Sequence, residues 1–409
     1  MNEEMISRHL RVLTQWPRGR PLGSAANRNA EEYLADALGA AGYTVERPAF
    51  DVVNWQIDGV ELWVGDVPLP VIANPYTPPC DVTARLVAAG SIDELEAAEL
   101  SGHIALLHGA LTVEPLIPRN FPFFTVPEHQ HIVAMLEERG ALAVVCISPA
   151  AGPPIPVIED GDFSLPSVTV AADAGAVLLA TPGPVRLRVR SRALPGRAAN
   201  VIGYLPHPAR NKVILCAHFD TKPGTPGALD NAAGTVAVLA LAGQLARRSP
   251  ATSLEVVFFN GEDHYASPGE VAYLDNCGGE LSRVALVVNI DAVGRRDQPA
   301  TIAFFGVPEP WAEDTRAAMA GRSDLAEVEP WPQGDHMIFA MRGVPCIAVT
   351  SGGIHALIAS VLHTPDDTLD LVDPARIASA VDFLADLLSQ NPPERGEDDH
   401  AQATHLPAQ

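Results

Sequence analysis

The residues best suited to chemistry are His218, Asp220 and Asp230 in "VILCAHFDTKPGTPGALDNAAGT", Glu262 and Asp263 in "FFNGED", Asp291 in "NIDAVG" and His363 in "HTPDDT". Most of them follow an apolar run directly, and His363 lies in the loop after another such run. Imidazoles and carboxylates gathered in one place, without thiols, repel one another unless a cation intervenes. Such a donor set suits a divalent ion, zinc first, with manganese or cobalt as substitutes. His218, Asp230, Asp263, Asp291 and His363, with Glu262 to spare, are more than one ion needs. They indicate two ions bridged by a carboxylate, about 3.5–4 Å apart. Singly, each has a plainer reading: His218 as a half-buried core histidine, Asp230 as a helix N-cap, Asp291 as a turn residue, Glu262–Asp263 as a solvated pair, His363 as a loop histidine. The plain readings weaken jointly, because chance seldom places such residues after several strands of one sheet.

The elements that must position them are those strands. "KVILCAH", "LEVVFFN", "VALVVNID" and "PCIAVTS" are apolar throughout and separated by helical segments such as "NAAGTVAVLALAGQLARR". That texture predicts an α/β fold with a mixed, mostly parallel sheet flanked by helices and buried on both faces. In such sheets ligands bind beyond the carboxyl ends of the strands, where these polar residues fall. Neighbouring strands are about 4.8 Å apart, so residues from 218 to 363 can converge on one spot.

The N-terminal part reads as an amphipathic helix over 3–15, a second helix over 25–41 capped at Ser24 and closed by Gly42, and a strand over 43–50. From about 52 to 195 short alternating segments ("VELWVG", "HIALLHG", "ALAVVCIS", "SVTVAA", "VRLRVRS") are divided by proline-rich turns, with one clear helix at 127–139. This is a β-rich insertion with a helix or two. The predicted organisation is a discontinuous catalytic domain of 1–50 and 196–392, an inserted domain of 51–195, and a disordered polar tail at 393–409.

Bulk properties exclude other classes. With 27 Lys and Arg against 50 Asp and Glu among 409 residues, the net charge of −23 disfavours nucleic acid and anionic membrane surfaces. Cys80, Cys146, Cys216, Cys277 and Cys346 show no pairing rhythm or zinc-knuckle spacing and read as small hydrophobes. The opening "MNEEMISRHLRVLTQW" is not signal-like, and no apolar run approaches the roughly 20 residues of a membrane span. A soluble, cytoplasmic setting is therefore expected, with secretion by another route left open. Nucleophile-elbow, phosphate-loop, dinucleotide and H-E-x-x-H motifs are absent.

Taken together, "AHFDTKPGTPGALDNAAGT", "FFNGEDHYASPGE", "NIDAVG", "GDHMIFAMRGVPCI" and "HTPDDTLDLVD", with "GRPLGSAANRNAEEYL" near the start, resemble the M28 family of zinc aminopeptidases. The likeness covers about 1–50 and 196–390. The insertion, through "LSGHIALLHGAL", "LEERGALAVVCIS" and "LPSVTVAADAGAVLL", more loosely resembles a protease-associated domain. The resemblance implies a zinc exopeptidase fold, with His218 and Asp291 on one zinc, Asp263 and His363 on the other, and Asp230 bridging both. It implies Glu262 as general base toward an activated water, Asp220 as the group orienting His218, and Asp367 in a similar supporting part. Two departures stand out: Glu262–Asp263 replaces the usual Glu-Glu, and the family's site tyrosine finds only Leu362 or Trp331 at its positions. Trp331 then reads as an aromatic pocket wall or an indole donor, and His336 and His264 as candidates for substrate contact. The implied activity is aminopeptidase action on peptides with a free N-terminus. Three alternatives remain: glutaminyl cyclase-like chemistry on one zinc, hydrolysis of a C-terminal residue or an amino-acid conjugate, and a non-catalytic binding protein. A homo-oligomer stays open.

Overall fold

A computed structural model describes residues 2–148, 152–208, 211–248, 250, 252–358 and 360–389. The tail expected at 393–409 lies outside the described residues. The chain divides into two compact units, Met1–Val52 with Arg197–Gln409, and Val53–Gly196. In chain order the elements are α1 (Glu3–Leu13), α2 (Ala25–Ala40) and β1 (Thr44–Glu46), followed by β2 (Ala49–Val64), β3 (Val67–Leu69), β4 (Ile72–Ala73), β5 (Cys80–Ala89), α3 (Ile92–Ala97), β6 (Ile104–Leu107), α4 (Pro127–Glu138), β7 (Ala143–Ile147), β8 (Ser167–Val170), α5 (Ala172–Leu179) and β9 (Pro184–Ala199). Then come β10 (Val201–Leu205), β11 (Lys212–His218), α6 (Gly234–Arg248), β12 (Ser253–Phe259), α7 (Pro268–Cys277), β13 (Val284–Ile290), β14 (Ala300–Phe305), α8 (Glu309–Met319), β15 (Leu325–Glu327), α9 (Met337–Ala340), β16 (Cys346–Ser351), α10 (Ile354–Ile358) and α11 (Pro374–Ser389).

The larger unit is built on a sheet of order β1-β10-β12-β11-β13-β16-β14-β15. Its central strands β12, β11, β13 and β16 run parallel, so their carboxyl ends share one edge. The flanking pairs β1–β10, β10–β12 and β14–β16 are antiparallel. Alternation along the strands sorts the side chains. Val213, Leu215 and Ala217, with Val256, Phe258, Leu286, Val288, Ile347 and Val349, join the core formed with α1, α2, α6 and α11. The helix starts follow their sequence signals: Asn2 accepts from the Met5 amide, and Ser24 from the Asn27 amide at 3.1 Å.

One expectation needs correcting. Residues Ala228–Arg248 form a 21-residue helical stretch of mean hydropathy 1.2, long and apolar enough by composition to cross a membrane. Its apolar 18-residue window is buried inside the protein, whereas Arg247 and Arg248 at its end are exposed.

The smaller unit has the sheet order β3-β2-β9-β5-β6-β7-β8-β4. Here the strands expected to alternate do not. β6, β7 and β8 are buried residue by residue, because they lie parallel to one another and to β5 with helices on both faces. α3 and α4 cover one face, and α5 the other. The insertion is thus α/β at its centre, with long antiparallel strands at one side.

Candidate metal centre

His218 is the last residue of β11, paired with Phe259 at the end of β12. Asp291 follows β13, and its amide continues the ladder by donating to the Val349 carbonyl of β16 at 2.8 Å. Asp263 lies in the turn after β12. His363, with φ 64°, lies in the loop after α10. A histidine in the left-handed region costs of order 1–3 kcal/mol and persists only where its surroundings demand it.

Asp230 lies between two groups of donors. Its Oδ1 is 3.2 Å from His218 Nε2 and its Oδ2 is 3.1 Å from His363 Nε2. Asp291 Oδ1 is 3.6 Å from His218 Nε2, and Asp263 Oδ1 is 3.3 Å from His363 Nε2. Two groups result, His218/Asp230/Asp291 and Asp230/Asp263/His363, each with one donor atom per residue and all those atoms within 4.8 Å of one another. The site residues read from the strand ends therefore meet in one place. The helix-cap role considered for Asp230 falls instead to Asn231. Its Oδ1 accepts from the Gly234 amide at 2.9 Å, which leaves both Asp230 oxygens for the imidazoles.

The supporting residues divide. Asp367 accepts from the amides of Leu229 at 2.8 Å and Asp230 at 3.0 Å, so it fixes the backbone of the shared aspartate. Asp220 lies beside His218, its Oδ1 3.7 Å from Nδ1, and the same oxygen accepts from the Gly261 amide at 2.8 Å. His336 is fully buried, 3.3 Å from the Asn289 amide nitrogen and from the Trp331 carbonyl, and packed on Phe305. Trp331 stacks edge-on against Phe305 and His336, as a wall would. His264 is buried on Tyr265, and its Nδ1 accepts from the Ala266 amide at 3.3 Å. None of these three contributes a donor to the two metal groups.

Several polar residues at the site escaped sequence reading. Glu262 Oε2 stands 3.9 Å from His218 Nε2, and behind the site Glu270 and Asp335 are fully buried. Burial raises both carboxyls, Glu270 to about 7 and Asp335 well above the usual carboxylate range. Their signals, a glutamate opening α7 and the aspartate of "GDH", were visible only as helix-turn composition. Lys222 donates its amide to Asp263 Oδ2 at 3.0 Å, with Nζ 3.9 Å from Oδ1.

The crowding shifts titration in one pattern. Burial, then the Asp230 charge, raises Asp263 to about 7. Burial, together with Asp263 and Asp291, holds Glu262 well above the usual carboxylate range, against the pull of His218. Burial alone would lower His363, yet Asp263 and Asp230 outweigh it and raise the imidazole to about 9. His218 is raised likewise, burial being overcome by Asp291, Asp220 and Asp230. Asp230 is held low despite burial, by its bonds to both imidazoles. Protons on the imidazoles thus neutralise the carboxylates, and a divalent cation bound to the same atoms would displace them. The His and carboxylate donors, with no thiol, fit zinc and its close substitutes.

The fold is one that solved aminopeptidases share. A zinc aminopeptidase from Bacillus subtilis superposes with a TM-score of 0.79 at 20% identity over 97% of both chains. An aminopeptidase from Aneurinibacillus sp. strain AM-1 gives 0.73 at 22% identity over 97% of this chain and 95% of that one. Residues 200–388 match the family model described as Peptidase family M28. By sequence, the probable lipoprotein aminopeptidase LpqL of Mycobacterium tuberculosis is 27% identical over 66% of this chain and 54% of its own length. The aminopeptidase YwaD of Bacillus subtilis is 24% identical over 61% and 56%. The chain thus spans about half the length of these curated relatives.

Proposed function

We propose that the chain is a metallo-aminopeptidase that releases N-terminal residues from peptides, with two divalent ions, zinc first, held by His218, Asp230, Asp263, Asp291 and His363. The carrying observation is the Asp230 carboxylate, whose two oxygens each lie within 3.2 Å of an imidazole from a different donor group. The M28 match over 200–388 and the aminopeptidase names of its relatives support the same reading. When bound, such a pair of ions supplies a polarised carbonyl and an acidified water.

The chain's own residues supply the rest. Glu262 belongs to neither donor group and keeps about a fifth of its side chain exposed (21%) beside His218. It is the carboxylate free to take a proton and return it to the leaving amine. Asp367 and Asn231 keep Asp230 aimed at both imidazoles. The insertion is proposed as a protease-associated domain.

Two complete groups sharing one carboxylate favour hydrolysis over single-ion cyclisation. The test is metal analysis of the purified protein with assays on aminoacyl-nitroanilides, Gln-peptides and substrates bearing a scissile C-terminal residue. About two ions per chain and nitroanilide release are expected. Glu262→Gln should keep its metal and lose about 10²–10⁴-fold in kcat. Activity confined to Gln-peptides, or wild-type turnover in Glu262→Gln, would overturn the reading.

A further inference from the structure

Arg20 stands in the Gly/Pro-containing segment ahead of α2, yet it is fully buried. A buried guanidinium costs heavily unless every donor is met. Among the described residues, its hydrogen bonds end on backbone carbonyls rather than on acids. Nε donates to Phe219 O at 2.8 Å, Nη1 to Pro226 O at 3.0 Å and to Leu13 O at 2.5 Å, and Nη2 to Gly227 O at 3.1 Å. Phe219 lies between His218 and Asp220. Pro226 and Gly227 immediately precede the turn into Asp230. One planar fork therefore grips both ends of the loop whose ends carry two of the proposed ligands.

The same short segment reaches the third acidic turn. The Arg20 amide donates to Thr221 Oγ1 at 2.8 Å, and its carbonyl accepts from Asn27 Nδ2 at 3.2 Å. Asn27 and Asn260 exchange side-chain hydrogen bonds at 2.7 and 3.1 Å, and Asn260 precedes Gly261 and Glu262. The fit between the segments leaves no room for side chains. At Gly19 (φ 72°) a Cβ would lie 1.9 Å from Thr225 O, and at Gly227 (φ 64°) 2.3 Å from Thr221 Cγ2. Burial lowers the guanidinium only to about 10, against the raising influence of Asp367, Asp220, Asp230 and Asp263, so it remains a cation at neutral pH.

We propose that Arg20 is a positioning residue of the metal centre: by clamping both ends of the 219–227 loop it fixes the spacing of His218 and Asp230. It thereby sets how tightly the His218/Asp230/Asp291 group takes a divalent cation. This rests on the metal-centre reading above. A lysine cannot substitute, since a point charge on a flexible stem does not span three carbonyls in one plane.

The test uses metal-depleted full-length protein titrated with Co²⁺, read by visible absorption. Arg20→Lys and Arg20→Met are compared with Leu34→Ala, which empties a fully buried position in the same unit's core. Both Arg20 variants are expected to bind about 10–100-fold more weakly, the scale for groups that orient ligands, with an altered cobalt band. Leu34→Ala should lose thermal stability and keep wild-type affinity and spectrum. Folded Arg20 variants with wild-type affinity and band would overturn the inference, as would an equal loss of affinity in Leu34→Ala. Should the Arg20 variants not fold, Thr221→Val, which removes the amide's acceptor together with the hydroxyl's own bond to the Lys222 carbonyl, is expected to weaken binding several-fold, and unchanged binding would overturn the inference. A wild-type protein that takes up no cobalt would instead sink the metal-centre reading itself.

Discussion

The two donor groups of the site are held in different ways. The His218/Asp230/Asp291 group draws two of its residues from the ends of adjacent parallel strands, β11 and β13, in the interior of the sheet. The Asp230/Asp263/His363 group takes its other two from turns: Asp263 after β12, and His363 at φ 64° with a quarter of its side chain exposed (25%). A ladder of backbone hydrogen bonds sets the first spacing, and loop packing sets the second. The turn-built group also has an ammonium nearby, Lys222, with Nζ 3.9 Å from Asp263 Oδ1. The strand-end group should therefore be the more rigid and tighter cation site, and the turn-built group the more easily emptied.

The largest effect should come from the residue the groups share. Asp230→Asn removes charge from both and is expected to abolish binding of the second ion and weaken the first by at least about 100-fold, with activity lost. His218→Ala and His363→Ala should each leave about one ion per chain. The retained ion should be held more tightly in His363→Ala, which spares the strand-end group, and cobalt titration checks the order. Equal affinity in the two variants would erase the distinction between the halves.

Acidity gives the next handle. In chelator-treated protein both site imidazoles are raised, His363 from 6.5 to about 9, so the folded state binds more protons than the unfolded state across that window. Stability must then fall as pH rises from 6.5 to 9. Asp263, Asp367 and Glu270, each raised to about 7, push the same way below that value. His264 and His336, lowered to about 4 chiefly by burial, oppose them below 6.5, which is why the upper window is the informative one. Saturating zinc deprotonates the imidazoles and should flatten the slope. Thermal melts with and without zinc read it directly. A metal-free Tm that rises from pH 6.5 to 9 would contradict the arrangement.

The same contrast explains what the sequence could reveal. His218 and Asp291 were legible because an apolar strand that stops at a polar residue marks a sheet edge. Asp263 and His363 were legible only as polar residues of the turn or loop that follows a strand, since a turn residue carries no periodic signal. Arg20, Asn27 and Asn260 were hidden for a different reason: Arg20 bonds backbone carbonyls up to 207 positions away, and Asn27 and Asn260 bond each other's side chains 233 positions apart, so no local pattern marks them. Asp230 and Asn231 are adjacent and equally good caps, so only geometry could assign the cap to Asn231 and free Asp230. In the insertion, β6 to β8 were too short to separate an alternating strand from a buried one, and their parallel pairing appeared only with the helices that cover them.

The smallest expected effect tests the turn-built group alone. Lys222 contributes two things to Asp263: a backbone amide bonded to Oδ2, and a side-chain charge near Oδ1. Lys222→Met keeps the first and most of the apolar stem while removing the second. A nearby cation opposes entry of another, so its removal should tighten metal binding at Asp230/Asp263/His363 by about fivefold, the factor that about 1 kcal/mol gives for a partly screened pair. The measurement belongs on a His218→Ala background, where the turn-built group is left as the main binding site, and the gain should shrink with added salt. The same substitution on a His363→Ala background should change nothing, because the strand-end group lacks the Asp263 carboxylate that Lys222 faces. A gain of equal size in both backgrounds would mean that the ammonium acts on the site as a whole, and that the two halves are electrostatically one.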